Sequence, residues 1–411
     1  MYISVRNPQG APVTSRGVRR GIPQTVLVLG AVSLLTDIST EMVTAALPLF
    51  VTVGLGLSPL AFGVLDSVYQ AGTAAARIAG GYTADRLRRP KAVAAVGYAL
   101  GVLAKLVLLP AASLGALSAA VGVDRIGKGL RTGPRDALIA GCSAPEVLGR
   151  SFGTHRALDT AGALLGPVFA FYLLMASPGD FDTLFVVSAC VAGLGVLLLV
   201  SKVREERSAA EGAPRISLAG AARLVAQGRE LRRMLLAAGL LSAMTVSDAF
   251  LYLTLLERGA VSSRLFPLLF LATSLVYLVG AIPLGRLADR FGRIQMFLTG
   301  HLLIVGAYLV AAGSDGLPGA GLALALLGLY YAATDGVLPA AAATIVPPQW
   351  MSTAISTLQT CVALGRSLAA ITFGALWATI GPGTALWLFT AGMAVVLTLT
   401  TPALLRRSPE A

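Results

Sequence analysis

Twelve apolar runs, each close to the roughly 20 residues an α-helix needs to cross a hydrocarbon core, account for most of this 411-residue chain. They lie near 24–53, 59–82, 91–109, 113–140, 150–176 and 183–201, and then, beyond a charged stretch, near 234–256, 264–285, 295–313, 318–345, 352–378 and 384–403. A backbone inside a bilayer must satisfy its own hydrogen bonds, which leaves helices as the solution for runs of this length. The expected fold is therefore all-α and integral to the membrane. Its units are a tail (1–23), a six-helix bundle (24–201), a central loop (202–233), a second six-helix bundle (234–403) and a short tail (404–411). Only 13% of residues are charged and 56% are hydrophobic; soluble proteins carry about 25% charged, so a soluble enzyme is excluded. Cys142, Cys190 and Cys361 are odd in number, far apart and set in apolar sequence, which fits neither a disulfide framework nor a zinc site. The first 23 residues are polar and basic, too long for the charged start of a cleaved signal peptide.

Twelve spans place both termini on one side, and the basic residues choose that side. The even-numbered connections and the tails hold 22 Lys and Arg; the opposite connections hold only Arg258 and Arg264. The tails, the 82–91 connection and the central loop are accordingly expected in the cytoplasm, with the protein in the cytoplasmic (inner or plasma) membrane. The net charge of +12 is read as this topology signal. No compact basic domain with interleaved aromatics is present, so nucleic acid is not an expected partner. The 216–233 segment, basic and amphipathic as a helix, is suited to lying on anionic lipid.

An internal repeat relates the halves. Gly81, Asp85 and Arg86 close the second span in a GxxxDR unit, and Gly285, Asp289 and Arg290 close the eighth, 204 residues later. Pro134 and Pro339 are 205 apart, and Gly162 and Gly365 are 203 apart. Two six-span halves in one register are the signature of carriers that alternate access by rocking one half against the other about a midplane site.

Twelve spans, a long central loop and paired GxxxDR loops resemble the major facilitator superfamily, from about Ile22 to Leu405. Its loop signature is met in the second copy by Gly292 and Arg293; the first copy departs from it with Arg88 in place of glycine and Pro90 within the basic run. The resemblance implies that Asp85 joins the halves on the cytoplasmic side by pairing with arginine near a helix N-terminus of the other half, where the helix dipole favours a carboxylate. Arg125, Lys128 and Gly129 resemble the span-four signature RxxQG, with lysine replacing glutamine. Gly162, Gly166 and Pro167 resemble the GxxxGP signature of drug:proton antiporters in span five, although the glycine pair that follows it in exporters is absent. Close helix packing is the alternative reading of Gly162 and Gly166.

The stretch DRIGKGLRTGPRD, residues 124–136, places six charged side chains inside span four. At about 100° per residue, Asp124, Lys128, Arg131 and Arg135 fall within roughly 60° of one another, opposite Ile126, Leu130 and Ala137. Such a stripe must face the protein interior or a wet cleft, since charge in a membrane is costly. The spans hold eight acids and eight bases in all, thirteen of the sixteen in the first half. Internal ion pairs therefore explain most of them, and coupling chemistry is expected in the first half. Asp37 and Glu41 share a face of span one at i, i+4 spacing, and two neighbouring carboxylates favour a proton on one of them. The expected coupling group is Asp37, Glu41, Asp124, Arg125 and Asp159, with protonation of Asp37 or Glu41 competing against an ion pair to Arg125 or Lys128. The expected substrate cavity is formed by Lys128, Arg131, Arg135, Asp248, Tyr330, Tyr331 and Asp335, with Phe250 and Tyr252 adding apolar wall. His155 and His301 are read as hydrogen-bonded structural residues.

The function expected is secondary active transport, proton-coupled efflux of a small molecule by a monomer that needs no cofactor beyond the proton gradient. The alternative is transport of an organic anion on the basic face of span four. A membrane-embedded enzyme or a transporter-like sensor is the remote alternative: no HExxH, GxSxG or Walker A pattern occurs.

Overall fold

The computed structural model describes residues 22–72, 89–144, 147–203, 228–313, 316–338, 341, 346 and 351–405. Every described element is helical. The first half comprises α1 (Gln24–Leu49), α2 (59–72), α3 (Pro90–Leu108), α4 (Leu114–Cys142), α5 (Leu148–Ala176) and α6 (Phe181–Lys202). The second comprises α7 (Arg229–Ala243), α8 (Asp248–Glu257), α9 (Phe266–Phe291), α10 (Arg293–Gly313), α11 (Gly316–Thr334), α12 (Met351–Ile380) and α13 (Pro382–Leu405). Ten described helices or helix pairs are long and apolar enough to cross a membrane. The two expected spans outside that count have plain reasons: α4 is heavily charged, and α2 is described over 59–72 only.

Two boundaries differ from expectation. The seventh span starts at Arg229 rather than at 234, so RELRR forms its first turn and a half. That span is also broken, because α7 ends at Ala243 and α8 starts at Asp248. Irregular backbone at bilayer depth survives only where protein or a wet cavity satisfies it. Tyr308 does so here: its hydroxyl accepts from the Val246 N–H at 2.7 Å and donates to the Met244 carbonyl at 3.5 Å. Ser247 stands at the N-cap of α8 with Asp248 in its first turn, a start signal legible in TVSD.

Within each half, small residues let backbones meet. A methyl group on Gly97 would lie 2.7 Å from the Gly127 carbonyl oxygen, joining α3 to α4, and one on Gly300 would lie 2.6 Å from the Thr334 methyl, joining α10 to α11. Gly162 closes α5 on α1 at Leu34 as Gly365 closes α12 on α7 at Gly239 and Ser242. Each pair is 203 residues apart, so the repeat read from sequence is a repeat of packing.

The halves meet along a seam at the end of the bundle that carries the 55–58 and 177–180 connections. There Gly63 of α2 abuts the Ala370 backbone, and Gly374 of α12 abuts the Pro59 carbonyl. Phe62 packs edge-on against Phe250 at 5.0 Å between centroids, and the Ser67 and Ser367 hydroxyls are 2.5 Å apart. Near the same end, Asp180 caps α6 by accepting from the Thr183 amide at 3.0 Å and its hydroxyl at 2.6 Å, bonds that hold its carboxyl below the usual carboxylate range.

Candidate functional site

The charged stripe of span four is folded inward. Arg125, Arg131 and Arg135 are buried, whereas Ile126 on the opposite face is 48% exposed. Buried charge is tolerated when paired, and the aspartates and arginines of α4 are paired. Lys105 Nζ of α3 lies 3.2 Å from Asp124 Oδ1, and Arg125 closes on the other oxygen of Asp124. Arg131 Nη2 is 3.5 Å from Asp37 Oδ1. Arg135 reaches Asp136 at 3.0 Å and Asp159 at 3.6 Å, and Arg156 reaches Asp159 at 3.3 Å. Two tyrosines complete the wall, with the Arg125 guanidinium 4.1 Å from the ring centre of Tyr69 and that of Arg131 4.7 Å from Tyr98. These tyrosines were not anticipated, since an isolated aromatic in an apolar run carries no spacing signal.

Two expectations about this cluster change. Asp37 pairs with Arg131, while Arg125 is taken by its chain neighbour Asp124; Lys128 lies within electrostatic reach of Asp37. The carboxyl of a neighbouring helix within electrostatic reach of Asp37 is Asp159 of α5. The cause is the glycine pair. A methyl on Gly162 would sit 2.5 Å from the Leu34 carbonyl oxygen, and one on Gly166 2.6 Å from Glu41 Cβ. With the two backbones in contact, Asp159, one turn before Gly162, is drawn alongside Asp37. Glu41, packed over Gly166, has no ion pair among the described residues.

The second half builds a different site. Tyr331 donates to Asp248 Oδ1 at 2.5 Å, and both line a cavity of about 220 Å³ with Asp335. Arg366 of α12 lies over the Tyr331 ring at 5.4 Å and donates to the Tyr330 hydroxyl at 3.5 Å. Tyr330 is itself buried at 3% exposure, packed edge-on against His301 at 5.4 Å. The expected substrate cavity is thus two groups: Asp248, Tyr331 and Asp335 share one cavity, whereas Arg131 and Arg135 belong to the ion pairs of the first half. The repeat explains the division, because Tyr331 stands 203 residues after Lys128 and Thr334 stands 203 after Arg131. Phe250 is fully buried in the seam, and Tyr252 lines the cavity.

Both histidines are buried and bonded: His155 Nε2 lies 2.9 Å from the Ser33 hydroxyl, and His301 Nδ1 lies 2.8 Å from the Phe297 carbonyl. Gly81, Asp85, Arg86 and Pro339 lie outside the described residues. In the second GxxxDR, Asp289 is bridged by Arg293 at 3.1 Å and is 68% exposed, and Arg290 sits over Phe291 at 5.3 Å. Gly292 takes φ 109° to end α9, a conformation open to glycine at little steric cost. Gly285 has open space about it, and Pro167 is accommodated inside an unbroken α5.

Known proteins extend the picture. The family model described as Major Facilitator Superfamily matches residues 29–370 and 260–411. An uncharacterized MFS-type transporter of Methanocaldococcus jannaschii is 29% identical over 369 residues, covering 87% of this chain and 89% of its own. An uncharacterized protein of Mycobacterium bovis is 32% identical over 176 residues, 43% of this chain and 42% of its own. Among solved structures, the nucleoside transporter NupG superposes with a TM-score of 0.79 at 14% identity, over 94% of this chain and 100% of NupG. A POT family transporter bound to a thioalcohol-conjugated peptide gives 0.76 at 15% identity, over 93% and 97%. Fold, repeat and family model agree: this chain belongs to the major facilitator superfamily and is a membrane transporter rather than an enzyme.

Proposed function

We propose that the protein is a proton-coupled secondary transporter of the cytoplasmic membrane that exports a small molecule. The observation that carries this reading is the meeting of Asp37 and Asp159 with Arg131 and Arg135, three helices converging on two carboxyls and two guanidiniums. With both carboxyls ionised, each holds an arginine of α4. A proton shared between them removes one negative charge, and an arginine must then find another partner. For Arg135 that partner is Asp136. Protonation thereby alters the attachment of α4 to α1 and α5, and this reading couples that change to the rocking of one half against the other.

The seam between the halves lies at the end expected to face away from the cytoplasm, which supports reading this conformation as open to the cytoplasm. Export is supported by the resemblance of DTAGALLGP to the antiporter signature. The alternative, an organic anion held by span four, has less support, because Arg131 and Arg135 already hold carboxylates. Purified protein in liposomes with an imposed pH gradient, assayed over organic cations, neutral drugs and small organic anions, tests the reading. Uphill movement of a solute that collapses with a protonophore is expected. Solute flux indifferent to the gradient would overturn it.

A further inference from the structure

The cavity of the second half brings together more carboxyl groups than bases among the described residues. It is bounded by Asp248 and Asp335 and walled by the rings of Tyr252, Phe270, Tyr277 and Tyr331, and no basic residue among the described residues lines it. Neither aspartate has an ion pair among the described residues. Arg366 is the base within electrostatic reach of both, and Asp66 of α2 draws on the same guanidinium. Among the described residues, three carboxyls therefore face one arginine. That arginine is spent on rings: it lies over Tyr331 and bonds to Tyr330, and among the described residues its buried Nε has no hydrogen-bond partner, nor has the buried Oδ2 of Asp66. In the first half, by contrast, each aspartate of the stripe has a base within 4 Å.

From this geometry we infer that the cavity binds a small organic cation, an ammonium of about the size of choline, with Asp248 and Asp335 as its counter-charges. Carboxylates at bilayer depth call for a neutralising partner, and aromatic faces attract an ammonium. Tyr252 is held fixed in the wall: its hydroxyl donates to Thr273 at 2.7 Å, and Phe270 packs edge-on to it at 4.7 Å. Asp248 keeps one oxygen beyond the one bound by Tyr331. The break of span seven at 244–247 sets this residue at a helix start beside the cavity, an irregularity that membrane helices keep where they line a site. A bare metal ion fits poorly, since hard cations want six or more oxygens, and the described residues form no group of three metal-ligating side chains. At about 220 Å³ the space falls below the 300–1,000 Å³ usual for drug-sized ligands. Asp335 and Tyr277 are exposed, which provides the way in.

The biological meaning of this site rests on the transport reading, but its test needs no gradient. Full-length protein in detergent is titrated by calorimetry with choline, with its neutral isostere 3,3-dimethyl-1-butanol and with the anion 3,3-dimethylbutyrate. Choline is expected to bind at least about tenfold more tightly than either, and Asp248→Asn and Asp335→Asn are each expected to weaken it at least about tenfold. Asp182→Asn, in the first turn of α6, should leave it unchanged. If Asp248→Asn does not yield folded protein, Tyr277→Leu takes its place, with several-fold weakening expected from the lost ring. Equal binding of the three compounds, or choline binding that survives both Asp335→Asn and Tyr277→Leu, overturns the inference. Choline bound here but not driven by a pH gradient would uphold the site and overturn only the proton coupling. Gradient-driven flux of another solute with no choline binding would overturn the site alone.

Discussion

Arg131 on the fourth helix and Asp37 on the first meet at 3.5 Å, each more than four-fifths buried, at the point where three helices of the first half converge. Removing one member leaves the other charge buried and unanswered, which costs about 3–5 kcal/mol. Arg131→Gln is therefore expected to lower the unfolding temperature markedly, and the Asp37→Asn, Arg131→Gln double variant to recover part of that loss. Thermal unfolding in detergent checks this. Additive losses in the double variant would mean that the two residues do not depend on one another.

If the shared proton of Asp37 and Asp159 couples transport, Asp37→Asn in the folded protein should abolish gradient-driven accumulation while leaving solute exchange across the membrane intact. Glu41→Gln, which loses no ion pair among the described residues, should retain gradient-driven accumulation. Accumulation by the Asp37→Asn protein at the rate of the parent would remove the carboxyl pair from the mechanism.

Gly162 and Gly166 set the separation of α1 and α5, so bulk at either should act through packing. Leucine at Gly166 meets the Ile38 carbonyl and the Met42 amide, both 2.9 Å from the position its Cβ would take, and overpacking of this kind costs typically about 1–3 kcal/mol. Gly365→Leu should do the same to α7 and α12. Gly193→Leu, on a surface with nothing within 4 Å, should be silent. Comparison of the melting temperatures decides, and a silent Gly166→Leu would refute the backbone contact.

The hydroxyls of Ser67 and Ser367 are 2.5 Å apart across the seam, near enough for a disulfide to replace them. A Ser67→Cys, Ser367→Cys protein, freed of its native cysteines, should cross-link on oxidation, stop transporting and resume on reduction. Full transport in the cross-linked state would mean that the seam need not open.

Orientation is open to a labelling experiment on the same background. A cysteine at Ser177 is expected to react with an impermeant maleimide in intact cells, and one at Ser208 only after permeabilisation. The reverse pattern would invert the topology.

What the chain alone determines is the part governed by hydrophobicity and periodicity. Runs of bilayer length fix the helices, the glycines, aspartates and prolines at 203–205 residue spacing reveal the repeat, and the 100° step of the helix foretells that Arg131 and Arg135 point inward. Ser247 and Asp248 even mark where span seven restarts, although an apolar run reads as continuous until a partner such as Tyr308 is seen to satisfy the freed backbone. Partner choice is another matter. Spacing along one helix put Asp37 with Glu41, but the glycine contacts of α5 slide Asp159 in beside Asp37 and leave Glu41 packed over Gly166. Likewise the expected cavity divided, because Tyr331 and Thr334 occupy in the second half the places that Lys128 and Arg131 hold in the first. Charge pairing depends on distances of a few ångströms between helices far apart in sequence, and those distances are set by side-chain volume at the helix crossings, which only the packed tertiary structure decides.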